Sequence, residues 1–320
     1  MPPLNLPTPA IDASDLVYRY GEHIALSGLN LQVEAGEIFG LLGPNGSGKT
    51  TLFRLLSTLA RVSTGRLSVF GFSLPEQAAQ VRSQLGVVFQ HPSCDRKLTV
   101  RENFCCQAAL FGLRGAKRDQ RIAQVVEELG LADRLDWRVE RLSGGMQRRV
   151  DVGKSMLHAP RLLILDEPST GLDPAARLDL WHALVGLRDR HGVTIVLTTH
   201  LLEEAEKAER IGILHQGQLV ALGSPEQLRS ALGERVLLVQ TRQTAPVLAW
   251  LQQRSIAVEM QQEQLRVSGS HVADLVAPLT AEMGHAIRSL SLGEPSLEDV
   301  FVARTGHRFW DGAGQQETAS

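Results

Sequence analysis

Gly43-Pro44-Asn45-Gly46-Ser47-Gly48-Lys49-Thr50 fits the pattern G-x-x-x-x-G-K-[ST]. The chemistry of such a run is the cradling of a polyphosphate. Glycines leave backbone N–H groups free to converge on an anion. Lys49 brings a positive charge to the β- and γ-phosphates, and the Thr50 hydroxyl suits Mg²⁺. A second chemical signal lies far downstream. Arg161-Leu162-Leu163-Ile164-Leu165-Asp166-Glu167-Pro168 is an apolar run ending in two acids. Asp166 is expected to hold Mg²⁺, directly or through water. Glu167, one residue on, points elsewhere and is placed to orient or deprotonate an attacking water.

These side chains need elements to hold them. Ile38 to Leu42 reads as a strand before the glycine-rich loop, and Thr51 to Leu59 as a helix after it. That helix adds partial positive charge where the anion would sit. Leu162–Leu165 and Thr194–Thr198 are continuous apolar runs, expected of strands buried on both faces of a parallel sheet. Ligands bind at the carboxyl ends of such strands. From Asp12 to Gln227 short strands alternate with helices, which predicts an α/β class. Between His91 and Arg141 strands vanish, predicting an inserted helical subdomain.

From Arg235 a second unit is predicted. Val236–Val239 reads as a strand, Ala245–Arg254 as a helix, and Ile256–Met260 with Gln264–Val267 as a hairpin. His271–Met283 reads as a helix and Ile287–Leu292 as a last strand, an order that suggests a small ferredoxin-like α+β domain. The expected division is a proline-rich leader over 1–11, a domain over 12–232 with its helical subdomain at about 91–141, an accessory domain over 233–305 and a polar tail over 306–320.

Leu142-Ser143-Gly144-Gly145-Met146-Gln147-Arg148-Arg149 opens a further helix. Ser143 suits an N-cap, and Met146, Val150, Gly153 and Leu157 fall on one face. With this signature, between the phosphate loop and the acidic strand, the chain resembles the ABC ATPases over about Ala13 to Leu232. These are the nucleotide-binding subunits of ATP-binding cassette transporters. The resemblance implies a P-loop NTPase cassette: a mostly parallel sheet core, an antiparallel β part and the inserted helical subdomain. It implies hydrolysis of ATP with Mg²⁺. Tyr20 then matches the ring that stacks on adenine, with Tyr18 a near competitor. The loop Gly43–Thr50 with Thr51, and Ser143, Gly144 and Gly145, would line the nucleotide. Gln90 matches a glutamine that contacts Mg²⁺ and water, and it begins the segment that reports to the membrane subunit. Thr170-Gly171-Leu172-Asp173 matches the loop that crosses the dimer interface. His200 matches the histidine on the γ-phosphate. The family pairs two such subunits head to tail, so one phosphate loop and one signature imply a second ATPase subunit, a copy or a relative.

Two further segments resemble the ATPases of drug- and lipid-type exporters, including the daunorubicin-resistance type. They are His91 to Asn103 and the closing Glu294-Pro295-Ser296-Leu297-Glu298-Asp299-Val300-Phe301. Lys154 departs from the Arg or Ala common in relatives and is expected to be a surface change. Ala208-Glu209-Arg210 stands where relatives often carry Cys-Asp-Arg. Arg114, Lys117, Arg118 and Arg121 read as a solvated helix face, with proximity to anionic lipid or a membrane subunit as the alternative.

Composition limits the alternatives. In 320 residues, Lys plus Arg is 33 and Asp plus Glu is 35, a net charge of −2. Nothing global favours nucleic acid. No run approaches the roughly 18 apolar residues of a membrane span, and no secretory signal is expected. Cys94, Cys105 and Cys106 are expected to be reduced thiols. The expected protein is an exporter ATPase on the cytoplasmic face of a membrane, working with a separate transmembrane permease. The alternatives are an importer ATPase with a regulatory C-terminal domain, or a soluble ABC protein acting on ribosome or DNA.

Overall fold

Runs of apolar residues without alternation form the centre of the first unit. In a computed structural model, the residues described are 8–307 and 309, except 234, 262, 263 and 270. They divide into two units between Leu222 and Gly223. The first begins with β1 (Ile11–Tyr20), β2 (His23–Val33), β3 (Ile38–Leu42), α1 (Lys49–Leu56), β4 (Thr64–Val69) and β5 (Phe72–Leu74). It continues with α2 (Ala78–Ser83), β6 (Leu85–Val88), α3 (Val100–Leu110), α4 (Gly115–Glu128) and α5 (Gly144–Met156). It closes with β7 (Leu162–Asp166), α6 (Pro174–His191), β8 (Thr194–Thr199), α7 (Leu202–Ala205), β9 (Arg210–His215) and β10 (Gln218–Gly223).

One sheet has the order β10-β9-β3-β8-β7-β6, and β9, β3, β8, β7 and β6 pair in parallel. β3, β7 and β8 are buried along their whole length, as strands covered on both faces must be. A second sheet, β2-β1-β4-β5, is antiparallel. Its β1 and β4 share one core with Phe39, Leu41 and the α1 residues Leu52, Phe53, Leu55 and Leu56. The strand-free stretch holds α3, α4 and two 3₁₀ turns, with one bridge between Thr99 and Arg138. A capping box starts α3: Glu102 N–H donates to Thr99 Oγ1, and Thr99 N–H donates back to Glu102.

The second unit carries α8 (Pro225–Ser230), β11 (Val236–Thr241), α9 (Thr244–Gln253), β12 (Glu259–Gln261) and β13 (Gln264–Ser268). α10 (Val276–Met283), β14 (Ile287–Gly293) and α11 (Leu297–Thr305) complete it. Its antiparallel sheet has the order β12-β13-β11-β14, the arrangement of a split β-α-β fold. Val239, Trp250, Leu251, Leu265 and Leu279 fill its core.

Three expectations need correction. The leader expected over 1–11 lies outside the described residues up to 7, and it ends early: Ala10 and Ile11 are fully buried, and Ile11 pairs with both Val33 and Val69. The break placed at 232 falls instead at 222, because α8 packs on α11 within the second unit. The helix expected over His271–Met283 is a 3₁₀ turn, Val272–Leu275, followed by α10. The face expected for α5 is buried at Val150, Gly153 and Leu157, and the helix also buries Val152, Met156, Arg148, Asp151 and Ser155.

Candidate active site

Parallel register decides which residues share the carboxyl rim of the sheet. Leu42 aligns with Thr199, Asp166 with Thr198, and Val88 with Leu165. The residues that follow therefore emerge side by side: Gly43, His200, Glu167 and the pair Phe89–Gln90. Four segments far apart in sequence thus meet without any one of them being long.

The loop between β3 and α1 is shaped by its glycines. Gly48 sits at φ 109°, and a Cβ there would lie 2.7 Å from the Ala25 carbonyl. Lys49 follows, only 4% exposed. Its Nζ donates to the carbonyls of Gly43 at 2.6 Å and Pro44 at 3.0 Å. Glu167 Oε1 is 4.0 Å away. Burial pulls the Lys49 pKa below the usual lysine range, and the carboxylates of Glu167 and Asp166 oppose that. Thr50 is exposed on the first turn of α1, and Thr51 is buried.

Asp166 ends β7 almost wholly buried. Burial raises its pKa; the Thr198 hydroxyl, donating to Oδ1 at 2.6 Å, works against this. The charge of Glu167 raises it further, while Lys49 and Arg148 lower it. Glu167 itself has a left-handed backbone, φ 43°. Its N–H donates to the Thr198 carbonyl at 3.2 Å and to Thr198 Oγ1 at 3.0 Å. Its Oε2 accepts from Gln90 Nε2 at 3.3 Å and from Thr170 Oγ1 at 3.2 Å, and His200 Nδ1 is 3.1 Å away.

The donor set suits a polyphosphate. A buried ammonium whose hydrogen-bond acceptors are backbone carbonyls sits at the start of a helix, where N–H groups point toward an anion. The buried Ser47 hydroxyl has no partner among the described residues. A divalent ion would find Thr50, Gln90 and Asp166 here. Among the described residues no group of three or more His, Cys, Asp or Glu could enclose one.

Tyr20, at the end of β1, is 42% exposed. Its ring meets Tyr18 edge to face at 5.0 Å, and the Arg54 guanidinium of α1 lies 6.0 Å from its centre. The signature residues form a second cluster. Ser143 Oγ accepts from Met146 N–H at 3.3 Å and caps α5. Gly145 packs so tightly on α6 that a Cβ would come 2.6 Å from Ala176 Cβ. Asp173 caps α6 by accepting from Ala176 N–H at 2.9 Å. Ser143, Gly144 and Asp173 all remain exposed.

Sequence reasoning missed the grip of α5 on the segment around Gln90. Buried Arg148 donates to the carbonyls of Phe89 and Gln90, both at 2.6 Å. Asp151 accepts from Ser93 N–H, Ser93 Oγ and Cys94 Sγ within 3.0 Å. Burial, and then the charge and contact of Asp151, raise the Cys94 pKa. Lys154 is no bland surface change: its Nζ donates to the Ser93 carbonyl at 2.7 Å. Arg148, Asp151 and Lys154 recur every third residue, a helical stripe of charge that was the available signal. Arg121 also departs from a solvated face, reaching the carbonyls of Met156 and Leu157 at the end of α5.

A phosphate cradle on β3 facing a carboxylate-ended β7 defines a P-loop nucleotide hydrolase. The ABC transporter family matches residues 26–170. The daunorubicin resistance ATP-binding protein DrrA2 of Streptomyces coeruleorubidus is 39% identical over 93% of this chain and 96% of its own. A Nod factor export ATP-binding protein I of Rhizobium meliloti is 36% identical over 95% and 90%. The structure of CbiO1 of Clostridium perfringens, part of an ABC transporter complex, superposes with a TM-score of 0.66 at 26% identity, covering 69% of this chain and 90% of that one. The chain belongs to the ATP-binding subunits of ABC transporters, and it is an ATPase of that family. Such subunits work with a membrane-spanning permease. No helix among the described residues is long and apolar enough to cross a membrane.

Proposed function

We propose that the protein drives export through a separate transmembrane permease, bound at the cytoplasmic face of the membrane as one half of a homodimer. The observation that carries the ATPase chemistry is the gathering of Gln90, Glu167, His200 and Lys49 on one rim. The reading of export is supported by the relatives named for drug resistance and Nod factor export, which match along both units.

In this reading the Gly43–Thr50 amides and Lys49 hold the phosphate chain, Thr51 lies behind them, and Tyr20 stacks on the base. Thr50, Gln90 and Asp166 would hold Mg²⁺, which supplies charge neutralisation at the phosphoryl oxygens. Glu167 takes the proton of the attacking water, Gln90 orients that water, and His200 faces the γ-phosphate. Ser143, Gly144 and Asp173, which are exposed, complete the site of the partner subunit, with buried Gly145 behind them. Closure of the pair on ATP and reopening after hydrolysis would then move the permease.

Complementation tests the composite site. Lys49→Ala and Ser143→Arg should each abolish turnover alone. Mixed, they should restore at most one of the two sites. Full activity in the mixture would overturn the shared-site reading. Tagged protein should copurify with a multi-span membrane protein from gently solubilised membranes; ribosomal or DNA-associated partners alone would overturn the export reading.

A further inference from the structure

We propose that Thr170 is a positioning residue for Glu167, fixing which oxygen of the carboxylate takes the proton. The inference rests on Glu167 being the base, as read above. Residues 167–170 form a turn closed twice. Thr170 N–H donates to the Glu167 carbonyl at 3.3 Å, and Thr170 Oγ1 donates to Glu167 Oε2 at 3.2 Å. The turn opens on the left-handed backbone of Glu167. A non-glycine residue stays there only when its surroundings over-determine it. Two bonds from the Glu167 N–H to Thr198 and the two from Thr170 do so.

The consequence is an asymmetric carboxylate. Gln90 Nε2 and Thr170 Oγ1 both donate to Oε2, and His200 Nδ1 lies 3.1 Å from the same atom. Oε2 is thereby occupied. Oε1, which faces Lys49 at 4.0 Å, is left to accept the proton from water. The terminal torsion of a glutamate is soft and nearly two-fold. Without the Thr170 hydroxyl the carboxylate would spread over its orientations, and a proton-transfer geometry would be lost while nucleotide contacts stayed. Thr170 is itself exposed, so its hydroxyl has no part in filling the core.

The test uses the purified full chain. Thr170→Val should lower kcat about ten-fold, the weight of one hydrogen bond to a charged group. Its Kd for Mg-ATP and its melting temperature should equal those of wild type. Thr170→Ser should restore kcat. In the Glu167→Gln background, Thr170→Val should leave the ATP-driven dimer intact. Wild-type turnover in Thr170→Val, equal loss in the Val and Ser variants, or loss of ATP affinity or of the dimer would each overturn the proposal. Glu167→Gln alone separates the two readings. If it hydrolyses ATP like wild type, the base assignment falls; if it is dead while Thr170→Val is fully active, only the present inference falls.

Discussion

Lys49 and Arg266 are both buried cations, one in each unit, and the chain treats them in opposite ways. Arg266 on β13 is 1% exposed and pairs with Glu259 at 2.8 Å and Asp299 at 2.9 Å. Asp299 in turn accepts from Ser296 N–H and Oγ and so caps α11. Lys49 is 4% exposed, and its close acceptors are two backbone carbonyls. Its nearest carboxylate oxygen is at 4.0 Å. A buried charge is costly unless it is paired. Arg266 is neutralised by its own chain, which is how a fold holds itself. Lys49 is left short of negative charge, which is how a site holds a substrate.

That contrast breaks most readily at the working end. Glu167→Gln keeps the side-chain shape and removes the base. Turnover should fall by at least about 100-fold, the usual contribution of a general base. Mg-ATP binding should persist and the dimer should accumulate. Steady-state ATPase assays with gel filtration check both. Lys49→Ala should instead weaken ATP itself, by about ten-fold or more, since a buried charge-assisted contact is lost. Titration calorimetry reads that, and an unchanged affinity would count against Lys49 as the phosphate ligand.

Arg266→Met attacks the other side of the comparison. It leaves Asp299 and Glu259 without their cation. Glu259 is 53% exposed and Asp299 17%, so water recovers much of the loss. The expected cost is about 2 kcal/mol, below that of a fully buried broken pair. Calorimetry should show the second unit melting earlier, with ATP affinity unchanged. A matching drop in ATP affinity would mean that Arg266 is not merely structural.

The contrast also shows what a sequence can disclose. The phosphate loop, the acid-ended strand and the signature were legible because each is local: spacing and periodicity lie within a dozen residues. Their meeting needed the parallel register, which the apolar runs of β3, β7 and β8 imply. What was not legible is where long side chains land. Lys154 looked like a surface residue because Ser93, which it holds, is 61 positions away. Arg121 looked solvated because its acceptors lie 35 and 36 positions on. Ala10 and Ile11 were assigned to a leader because prolines surround them, yet strand pairing from both sides buries them. Glu209 was only a departure from a family pattern. In the fold its carboxylate accepts from Ile38 N–H at 2.7 Å and from Arg188 at 2.6 Å, tying α6 to the start of β3.

The smallest predicted effect isolates the cost of a working charge. Asp166 is buried, and burial is the main reason its pKa is raised. A raised carboxyl pKa means that the folded chain binds the proton more tightly than the unfolded chain. The ionised form therefore costs stability. That cost is absent below the ordinary aspartate value of 3.8 and is complete once pH exceeds the folded value. Asp166→Asn removes it while leaving an acceptor for the Thr198 hydroxyl. In protein free of nucleotide and metal, the variant should melt higher at neutral pH. For a unit this size, each kcal/mol relieved is about 2–4 °C. The gain should shrink as pH is lowered toward the wild-type carboxyl's titration, while ATPase activity is lost at every pH. A variant that melts lower at neutral pH would mean that Lys49 depends on Asp166 more than Asp166 suffers from burial. The buried charges of this site would then resemble the Arg266 cluster after all.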